Sequence, residues 1–337
     1  MNVFWLFAIT LVCSFCLVAV LRRYALLKGV MDRPNARSSH TVPTPRGGGV
    51  AIVVVFMAML VLLSVSGGLR NHHGLWALLG AGGLVAVVGF LDDHQHIAAR
   101  WRLGGHFAAA VWAMALLGGL PPLLDGIWMQ IPGAIWWLFG VIYLVWMLNL
   151  YNFMDGIDGI ASIEAACVCF GACVLYYVGG HFELMLYPIL LGAAVLGFLL
   201  WNWPPAKIFM GDAGSGFLGM TLGVLSLHSA WYSPSYFWAW VILLGVFIVD
   251  ATFTLLHRLY RGEKVYEAHR SHAYQFASRH AGSHLPVSLA VGGITLGWLL
   301  PWALCAVLLD WNKLLIVAVA YLPLIALAIK FRAGSAE

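Results

Sequence analysis

Eleven times along the chain, a run of mostly apolar residues reaches roughly the length needed to cross a bilayer core. The runs lie near 2–22, 48–66, 74–91, 104–120, 134–151, 160–179, 184–201, 215–230, 235–256, 285–308 and 313–330. Backbone in hydrocarbon must pair its own N–H and C=O groups, so runs of this length read as helices. Composition agrees: of 337 residues, 62% are hydrophobic and 9% charged, too few polar groups to clothe a water-soluble surface. The expected fold is an all-α polytopic integral membrane protein, a single domain over 1–337 with about eleven transmembrane helices. The first run has no basic flank before it and no small-residue cleavage site, so it reads as a retained span. All six cysteines fall inside apolar runs and read as packing residues, without the aqueous setting of a redox or zinc motif.

Eleven spans place the termini on opposite sides. With the N-terminus outside, sixteen of the eighteen Lys and Arg residues fall on one face, leaving only Arg70 and Lys313 on the other. That asymmetry marks the basic face as cytoplasmic. The expected arrangement is an N-terminus outside and a cytoplasmic C-terminus in a multi-pass protein.

The same topology sends every polar cluster to the cytoplasmic side. Asp92 and Asp93, the amides and acids of NLYNFMDGIDGIA (149–161), and Asp212 of FMGDAGSGFLG all lie at or just beyond the ends of apolar runs. Acids at such depth are costly unless paired, hydrated or bound to a cation, so they mark a site. Oxygen ligands of this kind suit Mg²⁺, which usually takes one or two protein groups and completes its shell with water and substrate phosphate. Arg100, Arg102, Lys207, Arg258, Arg261, Lys264 and Arg270 share that face, giving a pocket of mixed sign that fits metal plus phosphate. Glycines at 47–49, 156, 159, 211, 214 and 216 let backbone approach a ligand closely. Other polar residues have plainer readings. Arg22, Arg23 and Lys28 read as topology determinants, His72 and His73 as outer-surface residues, and Glu164 as a structural acid. Asp250 reads equally as a helix–helix anchor or as part of the pocket rim.

In this order, Asp92-Asp93, NLYNFMDGIDGIA, FMGDAGSGFLG and a basic, His-containing last cytoplasmic loop resemble the polyprenyl-phosphate N-acetylhexosamine-1-phosphate transferases, glycosyltransferase family 4. The stretches RPNARSSHTVPTPRGGGVAI and EAHRSHAYQ look closest to the O-antigen initiators of the pseudomonad type. The resemblance implies transfer of an N-acetylated sugar 1-phosphate from a UDP-sugar to undecaprenyl phosphate, with release of UMP, at the cytoplasmic surface of a bacterial inner membrane, which makes the outer N-terminus periplasmic. It also implies Mg²⁺, with Mn²⁺ as a substitute, held by Asn152 and Asp212. Phe209 falls where an aromatic ring stacks on uracil, Asp158 where the base is read, and Arg102 where a cation meets phosphate. Residues and resemblance together assign Asp92, Asp93, Asp155 and His272 to catalysis, and Asp158, Phe209, Arg102, Arg270 and Asn149 to substrates.

One departure concerns the last loop. Many members carry three histidines there, whereas this chain has His272-Ala273-Tyr274-Gln275, so only His272 carries over. The segment from Glu267 to Gln275 is expected to select the sugar, with Arg270, His272, Tyr274 and Gln275 as donors to it. The expected partners are the lipid phosphate, the UDP-sugar and the bilayer; homodimerisation is left open and nucleic acid is not expected. A transporter is the rival class, but it calls for polar residues near span midplanes and repeated halves. A DDxxD prenyltransferase would need an acid where His96 stands, and a CDP-alcohol phosphotransferase an Ala-Arg pair after Asp155-Gly156.

Overall fold

The computed structural model describes residues 2–34, 39–68, 72–95, 97–123, 132–264 and 269–335. Arg37, Arg70, His96 and Glu267 lie outside the described residues. Among the described residues the architecture is all-α apart from one short antiparallel ribbon, β1 (Met31–Asp32) with β2 (Thr44–Pro45), in which Met31 faces Pro45. The helices are α1 (Val3–Lys28), α2 (Val50–Val65), α3 (His72–Gln95), α4 (Ala99–Leu117), α5 (Gly133–Met154), α6 (Ile160–Val178) and α7 (Leu186–Asn202). They continue as α8 (Asp212–Ala230), α9 (Pro234–Leu243), α10 (Gly245–Tyr260), α11 (Ala273–Ala281), α12 (Leu285–Ile294), α13 (Leu300–Leu308) and α14 (Lys313–Lys330).

Among the described residues, seven helical segments are long and apolar enough to cross a membrane, or eight if α9 and α10 count as one bent span. The protein is thus a multi-pass membrane protein. The apolar runs behind α2, α4 and α8 fall short for identifiable reasons. Val50–Val65 has only 16 residues, and α4 opens with Arg100, Arg102 and His106. In α8 every residue from Ala213 to Ala230 is buried within the protein, so this helix never has to satisfy lipid and tolerates Ser, Thr and His.

Two runs that read as continuous spans are broken. Between α9 and α10 the axis turns by 71°. There the Tyr321 hydroxyl donates to the Val241 carbonyl at 2.6 Å, taking an acceptor that a straight helix would use for Gly245. Between α12 and α13 the residues Thr295–Leu299 form a π turn, just before Pro301, which has no N–H to continue the ladder. Thr295 also donates to the buried Glu164 at 2.8 Å, which gives that acid the structural role expected of it.

Helix α8 is the axis around which the site is built, lying against α3, α5 and α2. Glycines set the close approaches at its start. A Cβ on Gly89 of α3 would lie 2.5 Å from the Ala213 nitrogen, and one on Gly49 would lie 2.6 Å from the Gly214 Cα. Both obstacles are backbone, which cannot swing aside. Gly89→Val should therefore destabilise the protein by about 1–3 kcal/mol or more, read as a lower thermal midpoint in detergent. An unchanged midpoint would show that α3 and α8 can part without penalty.

Candidate active site

The start of α8 is capped by an acid from another helix. Asp93, near the end of α3, accepts the backbone N–H groups of Asp212 and Ala213 at 3.1 and 3.3 Å. These N–H groups have no partner within α8. Asp93 is almost fully buried, its side chain 2% exposed, while Asp212 is 19% exposed on the cavity wall. Arg46, from the segment between β2 and α2, bridges the two: Nε lies 3.0 Å from Asp93 Oδ1 and Nη2 lies 2.5 Å from Asp212 Oδ1. Asp92 turns the other way. Its Oδ2 pairs with Arg102 Nη1 at 2.6 Å and its Oδ1 accepts the Ile97 N–H at 2.8 Å, closing the turn from α3 into α4. Arg102 Nη1 also stands 4.0 Å from Asp212 Oδ2, so two guanidinium groups flank one carboxylate.

The loops beside this cluster are tied by backbone. Gly48 and Gly49 donate to the carbonyls of Phe209 and Met210 at 2.9 Å each, and Phe209 donates to Pro45 at 2.8 Å. Phe209 is thereby fixed on the cavity wall, with His40 edge-on to its ring at 4.8 Å between centroids. Asn202, the last residue of α7, accepts from the Gly159 N–H and donates to the Ile208 carbonyl, both at 3.0 Å. One amide thus joins the DGIDG turn to the FMGD stretch. Asp158 Oδ2 accepts the Ala206 N–H at 3.1 Å and lies 3.3 Å from His284 Nδ1, whose Nε2 donates to the Ser39 carbonyl at 3.1 Å. Hydrogen bonding to Asp158 raises the His284 pKa above its ordinary value, against the effect of burial.

These elements enclose a cavity of about 450 Å³ whose walls include Asn152, Asp155, Asp158, Phe209, Asp212 and Arg46. Desolvation pushes the Asp155 carboxyl well above the usual range, with Arg46 opposing the shift. A second cavity of about 520 Å³, reached past Asp158, Gln275 and His284, is lined by Arg270 and Arg279. Among the described residues no group of three or more His, Cys, Asp or Glu is arranged to hold a metal ion.

The structure therefore brings Asn152, Asp155, Asp158, Phe209 and Asp212 to one cavity, with Asp93 behind it, Asp92 and Arg102 beside Asp212, and Arg270 in the adjoining space. Two residues stand apart. Asn149 donates to the Val145 carbonyl at 2.7 Å and lines an apolar cleft of about 310 Å³ with Leu103, Phe107, Trp146 and Phe153. His272 is buried against Asp250, 3.3 Å away. Sequence reasoning passed over Arg46, Asn202 and His284. The glycine triplet after Arg46 was the available signal for the first, and a lone amide ending an apolar helix for the second.

Fold and site define an integral membrane protein with a cationic and carboxylate-lined pocket at one end of its helix bundle. The chain belongs to glycosyl transferase family 4, whose profile matches residues 75–230. It is 30% identical over 264 residues to a phospho-N-acetylmuramoyl-pentapeptide-transferase of Geobacillus kaustophilus, covering 72% of this chain and 78% of that one. It is 28% identical over 278 residues to a probable undecaprenyl-phosphate N-acetylglucosaminyl 1-phosphate transferase of Bacillus subtilis, covering 80% and 75%. A decaprenyl-phosphate N-acetylglucosaminephosphotransferase of Mycolicibacterium smegmatis is 32% identical over 234 residues, 62% of this chain and 55% of its own length.

Proposed function

We propose that the protein transfers an N-acetylated sugar 1-phosphate from a UDP-sugar to undecaprenyl phosphate, giving undecaprenyl-diphospho-sugar and UMP. The observation that carries this reading is the cluster at the start of α8, where Arg46 and Arg102 flank Asp212 at the edge of a nucleotide-sized cavity. Polyprenyl phosphates appear in the names of the relatives from Bacillus and Mycolicibacterium. Sixteen cations against two on the opposite face support placing the pocket at the cytoplasmic surface of the inner membrane, with eleven spans and the N-terminus outside.

Asn152 and Asp212 would hold Mg²⁺ or Mn²⁺. Their chemistry fits: both offer hard oxygens on one cavity, and a site with so few protein ligands suits an ion that draws its remaining ligands from water and diphosphate. When bound, the ion would supply charge neutralisation on the donor diphosphate. The protein's own groups do the rest. Phe209 offers a fixed ring face to the uracil, and Asp158, already held by Ala206 and His284, sits where the base edge would be read. Arg102 holds the lipid phosphate, with Asp92 orienting it. A phosphate monoester has a second pKa of about 6, so its attacking oxygen needs little help to be unprotonated. The apolar cleft by Asn149 begins at Leu103, next to Arg102 in sequence, and suits the first isoprene units of the acceptor.

Arg102→Ala should raise the KM for lipid phosphate about tenfold, while Arg22→Ala, whose guanidinium lies over Trp201, should not. Equal KM values for the two variants would take Arg102 out of the acceptor site. The stretches RPNARSSHTVPTPRGGGVAI and EAHRSHAYQ support O-antigen or related lipopolysaccharide initiation as the pathway. The deciding assay incubates purified protein with undecaprenyl phosphate and a panel of UDP-N-acetylated sugars and weighs the lipid product. A product heavier by one sugar phosphate is expected; unchanged lipid with every donor would overturn the proposal.

A further inference from the structure

Asp250 lies in the second turn of α10, past the bend, and is only 6% exposed. A helix–helix anchor would spend such a carboxylate on a neighbouring span. Instead, among the described residues, three of its four polar contacts go to the start of α11. Oδ1 accepts the Ala273 N–H at 2.9 Å, Oδ2 accepts the Tyr274 N–H at 3.0 Å, and His272 Nδ1 stands 3.3 Å away; the fourth is the Thr254 hydroxyl of its own helix at 3.2 Å. Asp250 thus supplies, from another helix, the acceptors that the first N–H groups of α11 lack, and it places negative charge at the positive end of that helix.

The first turn of α11 then reaches the cavity. The Tyr274 hydroxyl donates to the Phe153 carbonyl at 3.0 Å and abuts Gly156, where a Cβ would collide with it. Gln275 accepts the His272 N–H at 3.2 Å, lies within 3.4 Å of that same Gly156 position and lines both cavities. Just before α11, Ser271 Oγ lies 3.0 Å from His269 Nδ1, the Ser271 carbonyl accepts the Gly334 N–H at 2.7 Å, and the Arg270 carbonyl accepts from Arg279 at 3.4 Å.

We infer that Asp250 is a positioning residue: by capping α11 it sets Tyr274 and Gln275 against the turn at Asp155-Gly156, and so fixes the wall of the pocket that meets the sugar nucleotide. The assignment of that ligand rests on the proposed transfer. Asparagine keeps the shape of Asp250 but turns one acceptor into a donor facing a backbone N–H. The cap is then half lost, and α11 samples positions in which the wall is loose. The donor site loosens, while the acceptor side at Arg102 and Asp92 is untouched.

The test uses the full-length protein in lipid nanodiscs, comparing the parent with Asp250→Asn and Tyr274→Phe. Hydrogen–deuterium exchange across 273–276 should accelerate about tenfold in Asp250→Asn, with α14 unchanged. The KM for UDP-N-acetylglucosamine, or whichever UDP-sugar the parent uses, should rise about tenfold, with kcat and the KM for undecaprenyl phosphate within about threefold. Tyr274→Phe removes a single hydroxyl and should shift the donor KM in the same direction. Unaltered exchange across 273–276 overturns the cap whatever the kinetics. Faster exchange with an unaltered donor KM, or a donor and acceptor KM rising together, overturns the link to the donor. A parent inactive with every UDP-sugar counts against the transfer itself, and the exchange result still judges the cap.

Discussion

Asp212→Asn is expected to lower turnover by about two to three orders of magnitude while leaving the thermal midpoint close to that of the parent. The two halves of this expectation have different origins. The backbone at the start of α8 is held by Asp93, which accepts the N–H groups of Asp212 and Ala213, so the side chain of Asp212 is not what fixes the helix. Its carboxylate instead faces the cavity, with Arg46 at 2.5 Å and Arg102 at 4.0 Å. An amide of the same shape removes the negative charge that would hold a divalent ion on the diphosphate, while Arg46 keeps Asp93 and Arg102 keeps Asp92 as partners. Asn152→Ala should show the same pattern at smaller amplitude, and EDTA should abolish turnover in the parent. Retention of more than about a tenth of parental turnover in Asp212→Asn, or full activity in EDTA, would remove the metal from the proposal.

The helical architecture was legible because membrane helices are written in runs that need no knowledge of their neighbours. What the runs could not show were their interruptions. Residues 236–249 carry no charge or breaking proline around the bend, and the Val241 carbonyl at the break between α9 and α10 is taken by Tyr321, some eighty positions later. The polarity of α8 likewise makes sense only once its neighbours cover it on all sides. At the site, the acids were found because a carboxylate at the end of an apolar run is conspicuous. Arg46 was not, since it is one of sixteen cations assigned to that face and only the three glycines that follow it separate it from Arg22 or Lys28. The sequence leaves Asp250 between two readings, because the backbone N–H groups it accepts belong to residues more than twenty positions away. Asn149 shows the converse. It stands one turn before Asn152 on the same helix, yet its amide donates to the Val145 carbonyl of that helix and it borders the apolar cleft.

Arg46→Ala should be as damaging as loss of Asp212, about a hundredfold or more in kcat/KM, through a different physical route. In the native arrangement one guanidinium serves two carboxylates, Nε toward Asp93 and Nη2 toward Asp212. Without it, a nearly buried acid and a cavity acid face each other at the start of α8 with no cation between them, and truncating one partner of such a cluster costs far more than the pair contributes. Arg46→Lys should recover only part of the loss, because a single ammonium cannot reproduce a fork that reaches both oxygens. Arg22→Ala is the matched control: its Nε donates to the Lys207 carbonyl at 3.2 Å and its charge lies over Trp201, outside the cavity. Steady-state kinetics on the three variants, with thermal midpoints to confirm folding, decides the matter. If Arg46→Ala turns over within about threefold of the parent, Arg46 is one more topology cation, and the charge balance of the pocket must rest on Arg102 alone.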